Sequence, residues 1–234
     1  MELAISLSII GLGVLALIFF LCEKIRQYSV KATLIKAATS ILFVILATFC
    51  TFYKHTSPLG FFVIVGLSFG MLGDVWLDLK YAYPKEQRNF TFAGFICFLI
   101  GHIFYISGMF VTYRPDHPLY FVLPFVFGIV CAGLVIFLEK PLKLKYGEMK
   151  VMSLLYALAL FSMVGTAISM VVFTSGRGVT ADMLLAGGVL FAVSDLILSG
   201  TYFGVDKERP VDLISNAVTY YMAQYIIAFS IFFI

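Results

Sequence analysis

Apolar residues run through this chain in stretches of about twenty, each closed by a short polar connection. The stretches fall at 3–22, 31–53, 57–79, 90–112, 118–138, 149–173, 180–203 and 211–234. At ~1.5 Å of rise per residue each can cross ~30 Å of hydrocarbon, so each predicts a transmembrane helix. The connections carry helix-ending residues: Pro58, Pro84, Pro115, Pro118, Pro141, Gly147 and Pro210. The pattern therefore predicts an all-α integral membrane protein, a single bundle of eight transmembrane helices and one domain over 1–234. The first stretch lacks the basic flank of a secretory signal and ends in Glu23-Lys24 instead of a small-residue cleavage site. It is expected to be the first span.

Composition agrees: 62% of residues are hydrophobic and 12% charged, against about 25% charged in soluble domains. The net charge of +3 is modest, but its distribution is not even. Twelve basic residues fall in the odd-numbered connections: Lys24, Arg26, Lys31, Lys80, Lys85, Arg88, Lys140, Lys143, Lys145, Lys150, Lys207 and Arg209. Only Lys54, Arg114 and Arg177 fall in the even-numbered ones. The excess of basic residues in cytoplasmic loops then predicts a multi-pass protein with both termini outside. The cysteines (Cys22, Cys50, Cys97, Cys131) form no CxxC pair and are expected to be packing residues.

Against this apolar background two acids stand out, Asp74 and Asp195, inside the third and seventh stretches. A carboxylate in the bilayer costs roughly 2.5–3.5 kcal/mol on insertion scales, so each points to a function. Both helices run from outside to cytoplasm, with Asp74 ~9 Å and Asp195 ~12 Å from the cytoplasmic end. Similar depth predicts that the acids face one cavity. Small residues precede both (Gly66, Gly70, Gly73; Gly187, Gly188, Ala192) and favour close helix approach.

The returning helices carry His102 and Gln224, 28 and 29 residues after the two aspartates. A parallel duplication of four helices would produce both offsets. Further polar residues share helical faces: Tyr105 with His102, Tyr220 and Tyr221 with Asn216 and Gln224, Tyr156 on the sixth helix, and Lys36 with Ser40 on the second. Lys36 lies ~8 Å in from Lys31 and can point inward or snorkel to the interface. Helices 1 and 5 offer almost no polar face and are expected to lie outside the others. Asp78, one turn from Asp74, reads equally as site rim or boundary residue, and Trp76 fits an interfacial belt.

Missing patterns narrow the chemistry. There is no HExxH, P-loop or GxGxxG, and the one GxSxG spacing, Gly66-Leu67-Ser68-Phe69-Gly70, lies inside a helix-length apolar stretch instead of a strand-to-helix turn. His55 and His117 lie in predicted outside loops, so a zinc site would have to use Asp74, Asp195 and His102, an uncommon ligand set.

Four ordered motifs carry a resemblance. They are Ser68-x4-Gly-Asp74-x2-Leu, Phe92-x-Gly-Phe-x2-Phe98-x2-Gly-His102-x2-Tyr105, Gly187-Gly-x2-Phe191-x2-Ser194-Asp195-x2-Leu, and Tyr220-Tyr221-x2-Gln224. With an intramembrane lysine at Lys36, the sequence resembles the YhhN family, which includes the lysoplasmalogenases. That resemblance implies hydrolysis of the vinyl-ether bond of a lysoplasmalogen to a fatty aldehyde and a glycerophospho-alcohol. It implies no cofactor, no metal, and no nucleic-acid or protein partner; the expected partners are a lysophospholipid and the surrounding lipids. A vinyl ether is protonated at its β-carbon to an oxocarbenium ion, which captures water. Two carboxyl groups, one carrying a proton and one ionised, meet that demand, as they do in glycosidases. Asp74 and Asp195 are the expected catalytic pair. Lys36, His102, Tyr105, Tyr156, Ser194, Tyr220, Tyr221 and Gln224 are the expected substrate-binding residues. A proton-coupled transporter would use the same acids as a relay, although no proline interrupts helices 3, 4, 7 or 8 near them.

Overall fold

The computed structural model describes residues 1–26, 30–54, 57–174, 178–204 and 209–234. His55, Arg177 and Lys207 lie outside the described residues. Eight α-helices and no strand occur among those described: α1 (Glu2–Arg26), α2 (Val30–Tyr53), α3 (Pro58–Ala82), α4 (Gln87–Thr112), α5 (Leu119–Phe137), α6 (Lys150–Phe173), α7 (Val179–Phe203) and α8 (Pro210–Ser230). Every boundary falls within four residues of the expected one. Pro58 and Pro210 each occupy the first turn, where no intrahelical N–H is required, and the Ser57 hydroxyl accepts from the Gly60 N–H at 3.0 Å.

Seven of the helices are long and apolar enough to cross a membrane. The eighth, α8, dilutes its apolar content with Asn216, Tyr220, Tyr221 and Gln224, and the last three of these are buried. Its polarity faces the interior of the bundle.

Packing forms a closed ring. In order round it, α2 packs on α3, α3 on α4, α4 on α6, α6 on α7, α7 on α8, and α8 on α2. Outside the ring, α1 lies on α2 and more lightly on α8, while α5 lies on α6. This is the peripheral placement expected for helices 1 and 5. Backbones approach closely where glycines allow it: a Cβ on Gly101 would sit 3.0 Å from the Gly66 carbonyl oxygen, so α3 and α4 meet almost without side chains between them.

Both chain ends lie at one end of the bundle. Tyr53 stacks on Phe232 at 5.9 Å, Lys54 Nζ lies 5.3 Å from the same ring, and the Glu2 carboxylate reaches Tyr53. At the opposite end the connections are tied together by Arg88 with Glu148 (2.9 Å) and by the Lys145 N–H donating to the Phe203 carbonyl (2.8 Å).

Two lysines counted above as loop charges belong elsewhere. Lys24 and Lys80 are only 3% and 5% exposed. Lys24 pairs with Asp78, and Lys80 lies over the Tyr202 ring at 3.0 Å. Their long stems let them turn inward from the helix ends.

Candidate functional site

Side chains of α1, α2, α3, α4, α7 and α8 line a cavity. Asp74 and Asp195 both line it, together with Lys24, Lys36, Asp78, Ser194, Asn216, Tyr220 and Tyr221. Both acids face the one cavity, as their similar distances from the ends of α3 and α7 predict. Phe98, Phe191 and Tyr220 pack edge to face (centroids 5.5–6.1 Å) at the centre of the ring.

The two acids have different partners. Asp74 Oδ1 lies 3.1 Å from Lys36 Nζ, while Oδ2 accepts from the Ser40 hydroxyl (2.6 Å) and the Tyr220 hydroxyl (2.8 Å). Ser40 Oγ is also 2.9 Å from Tyr221 OH. One ammonium and two hydroxyls therefore hold the carboxylate, and every donor is fixed by a packed helix. Asp195 Oδ2 accepts a short hydrogen bond from Tyr156 OH. Among the described residues Asp195 has no ion pair, and its second oxygen has no hydrogen-bond donor.

Lys36 points inward: it bridges Asp74 and, at 3.9 Å, Asp78. Lys24 binds the same Asp78 oxygen, and Thr33 Oγ1 donates to the other at 3.4 Å. Asp78 is thus part of the site. Ser194 is locked to α8, where Asn216 Nδ2 donates to its carbonyl at 2.8 Å and contacts its Oγ at 2.9 Å.

Four expected substrate-binding residues, His102, Tyr105, Tyr156 and Gln224, do not line this cavity. Gln224 Nε2 donates to Tyr220 OH at 2.9 Å, and Tyr105 OH donates to Gln224 Oε1 at 3.2 Å. His102 Nε2 is 3.4 Å from Tyr156 OH, with its ring 4.8 Å from Phe191. His102, Tyr105 and Gln224 reach the acids only through Tyr220 and Tyr156. A shared helical face gives direction, not depth, and Phe98 and Phe191 stand between. Among the described residues no three His, Cys, Asp or Glu gather as metal ligands, so Asp74, Asp195 and His102 do not converge on one ion.

Lys24, Thr33 and Tyr202 were not anticipated. The available signal for Lys24 was that a cation near the end of helix 1 matches the depth of Asp78 near the same end of helix 3. Tyr202 lines the cavity one and two turns beyond Leu198 and Asp195 on α7.

Fold and cavity together define a multi-pass helical membrane protein with paired, differently held carboxylates at its centre. The chain belongs to the YhhN family, whose sequence profile matches residues 31–231. That match begins in α2, so Lys24 of α1 lies before it. No curated protein and no solved structure matches the chain.

Proposed function

We propose that this protein hydrolyses the vinyl-ether bond of lysoplasmalogens, with Asp195 and Asp74 as its acid and its fixed carboxylate. The observation that carries the reading is that one cavity holds both acids in unlike settings: a carboxylate neutralised by an ammonium, and a carboxyl group whose one donor among the described residues is a phenol. Two-carboxylate hydrolysis needs that inequality, because the groups must differ in protonation.

In the proposed sequence Asp195 gives its proton to the β-carbon of the vinyl ether. The C=C pair forms the new C–H bond, and the α-carbon and ether oxygen share the resulting positive charge. Asp74, fixed in place by Lys36, Ser40 and Tyr220, stabilises that cation. Water adds to the α-carbon and yields its proton to the ionised Asp195, restoring the acid. The hemiacetal then breaks its C–O bond, releasing aldehyde and alcohol. Lys24 and Lys36 offer cationic edges to the headgroup phosphate.

The test is aldehyde release from lysoplasmenylcholine and lysoplasmenylethanolamine by purified protein in detergent. Asp74→Asn and Asp195→Asn should each lower the rate by ~100-fold or more, the range for loss of a general acid or base. Asp195→Asn breaks no ion pair among the described residues and keeps size, so it should fold. Asp74→Asn leaves Lys36 with Asp78 alone at 3.9 Å and should be less stable, so its rate is read on the folded fraction. EDTA should leave the rate unchanged. Near-normal turnover in both variants would sink the two-carboxylate mechanism.

One observation favours a second reading. Hydrogen bonds run without a break from Tyr105 through Gln224 and Tyr220 to Asp74, and ion pairs continue through Lys36 to Asp78. Such a chain suits a proton relay in a transporter. Proton-gradient-driven solute uptake in proteoliposomes, with no aldehyde release, would select it.

A further inference from the structure

Asp195 also stands in the wall of a second cavity. This one is predominantly apolar and lies over α6 between α5 and α7. Val135 of α5 forms one side, Ala157 and Leu160 of α6 the floor, and Leu198 and Tyr202 of α7 the other side. Asp195, Leu198 and Tyr202 line both cavities. At i, i+3 and i+7 they form one stripe of α7, an edge shared by the charged cavity and the apolar one. Along that wall the slot runs from Ala192 to Phe203, which spans about 16 Å of helix. Both α5 and α7 pack on α6 but little on each other. The slot therefore opens sideways, beside Leu196, which is 54% exposed.

Apart from the second oxygen of Asp195, a hydroxyl in the slot is unexplained. The Ser153 hydroxyl is buried and has no partner among the described residues. It sits one helical turn from Tyr156, the donor to Asp195. A buried hydroxyl without a partner is unfavourable, and a ligand oxygen at that end of the slot would relieve it.

We infer that the slot binds the aliphatic chain of an amphiphile whose polar part occupies the two-carboxylate cavity, with Ser153 bonding the oxygen at the head of the chain. The chain enters laterally from the bilayer between α5 and α7, and the bond where chain meets headgroup lies at Asp195. The identity of that bond rests on the hydrolase reading; the binding of the chain does not.

Equilibrium binding of non-cleavable saturated-ether lysophosphocholines, one short-chain and one long-chain, separates the two. Ala157→Leu fills the floor without touching Asp74 or its partners. It should weaken the long-chain probe about tenfold, the effect of displacing roughly two methylenes, and leave the short-chain probe unchanged. Ser153→Ala removes a hydroxyl that bonds nothing in the folded protein, so the protein should fold normally and lose affinity for both probes several-fold. Should Ala157→Leu not fold, Leu160→Ala enlarges the slot and the expectation reverses, with the long chain gaining. Equal changes for both chain lengths in the Ala157 or Leu160 variant, or none, overturn the slot. If the variants shift probe binding as expected but no vinyl ether is cleaved, the slot stands and the hydrolase reading falls. If cleavage proceeds with an unchanged chain-length profile, the reverse holds.

Discussion

At the scale of single residues, the site is decided by what each carboxylate is given. Asp74 and Lys36 form an ion pair inside an apolar bundle, and such a pair is stable mainly because neither charge is left alone. Lys36→Met should therefore destabilise the protein by about 3–5 kcal/mol, whereas Lys36→Met with Asp74→Asn should cost far less. Unfolding in detergent measures both; equal losses would show that Lys36 stabilises by packing alone. The sequence marked both aspartates because charge is conspicuous in an apolar helix. It could not direct Lys36, whose stem reaches either the interior or the interface. Lys24 was harder still: beside Glu23 at a helix end it reads as an ordinary loop charge, and only Asp78, 54 residues away, turns it inward.

At the scale of helices, hydrophobic run length was enough to find every element, because crossing a bilayer requires about the same number of residues each time. Helix faces were also legible: the polar residues of α8 do point inward. What spacing could not tell was which of them touch the cavity. That depends on side chains from other helices, here Phe98 and Phe191. Close approach of α3 and α4 gives a prediction at this scale. Gly101→Leu would drive a side chain against the Gly66 carbonyl, only 3.0 Å from the first added carbon, and should cost about 1–3 kcal/mol. Gly133, with nothing within 4 Å, should accept leucine with no change in thermal stability; equal effects at the two positions would count against the contact. The connection between α5 and α6 supplies another test. Glu139 accepts from Lys150 at 2.6 Å and from the Tyr146 N–H at 3.3 Å, and the Lys150 contact holds its carboxyl below the ordinary range. A lowered carboxyl contributes stability above its unfolded value and loses it as pH falls through the folded one. Protection of this connection from proteolysis should therefore drop on acidification, and Glu139→Gln should remove that acid dependence.

At the scale of the molecule, the ring of six helices repeats its packing when each helix number is raised by four: α2 and α3 answer to α6 and α7, and α4 on α6 answers to α8 on α2. The two acids follow the same shift, and so do their partners, with Lys36 on α2 against Asp74 and Tyr156 on α6 against Asp195. The two halves thus place an acid in the same frame and differ in what faces it, an ammonium in one and a phenol in the other. That repeat of packing was legible in the matching offsets of His102 and Gln224. The difference between its halves was not, because Tyr156 gave no sign of which acid it would meet. The final prediction tests that difference. Tyr156→Phe removes the hydrogen bond to Asp195 and the contact with His102 but leaves Asp195 without a cation, and should lower vinyl-ether cleavage only modestly. Tyr156→Lys would set a cation against Asp195, making it a second fixed carboxylate and leaving no group to supply the proton. Cleavage by Tyr156→Lys should fall at least ~100-fold, as for loss of the general acid itself, in protein that remains folded in detergent. Equal rates in the phenylalanine and lysine variants would mean that the asymmetry of the two halves has no part in the chemistry.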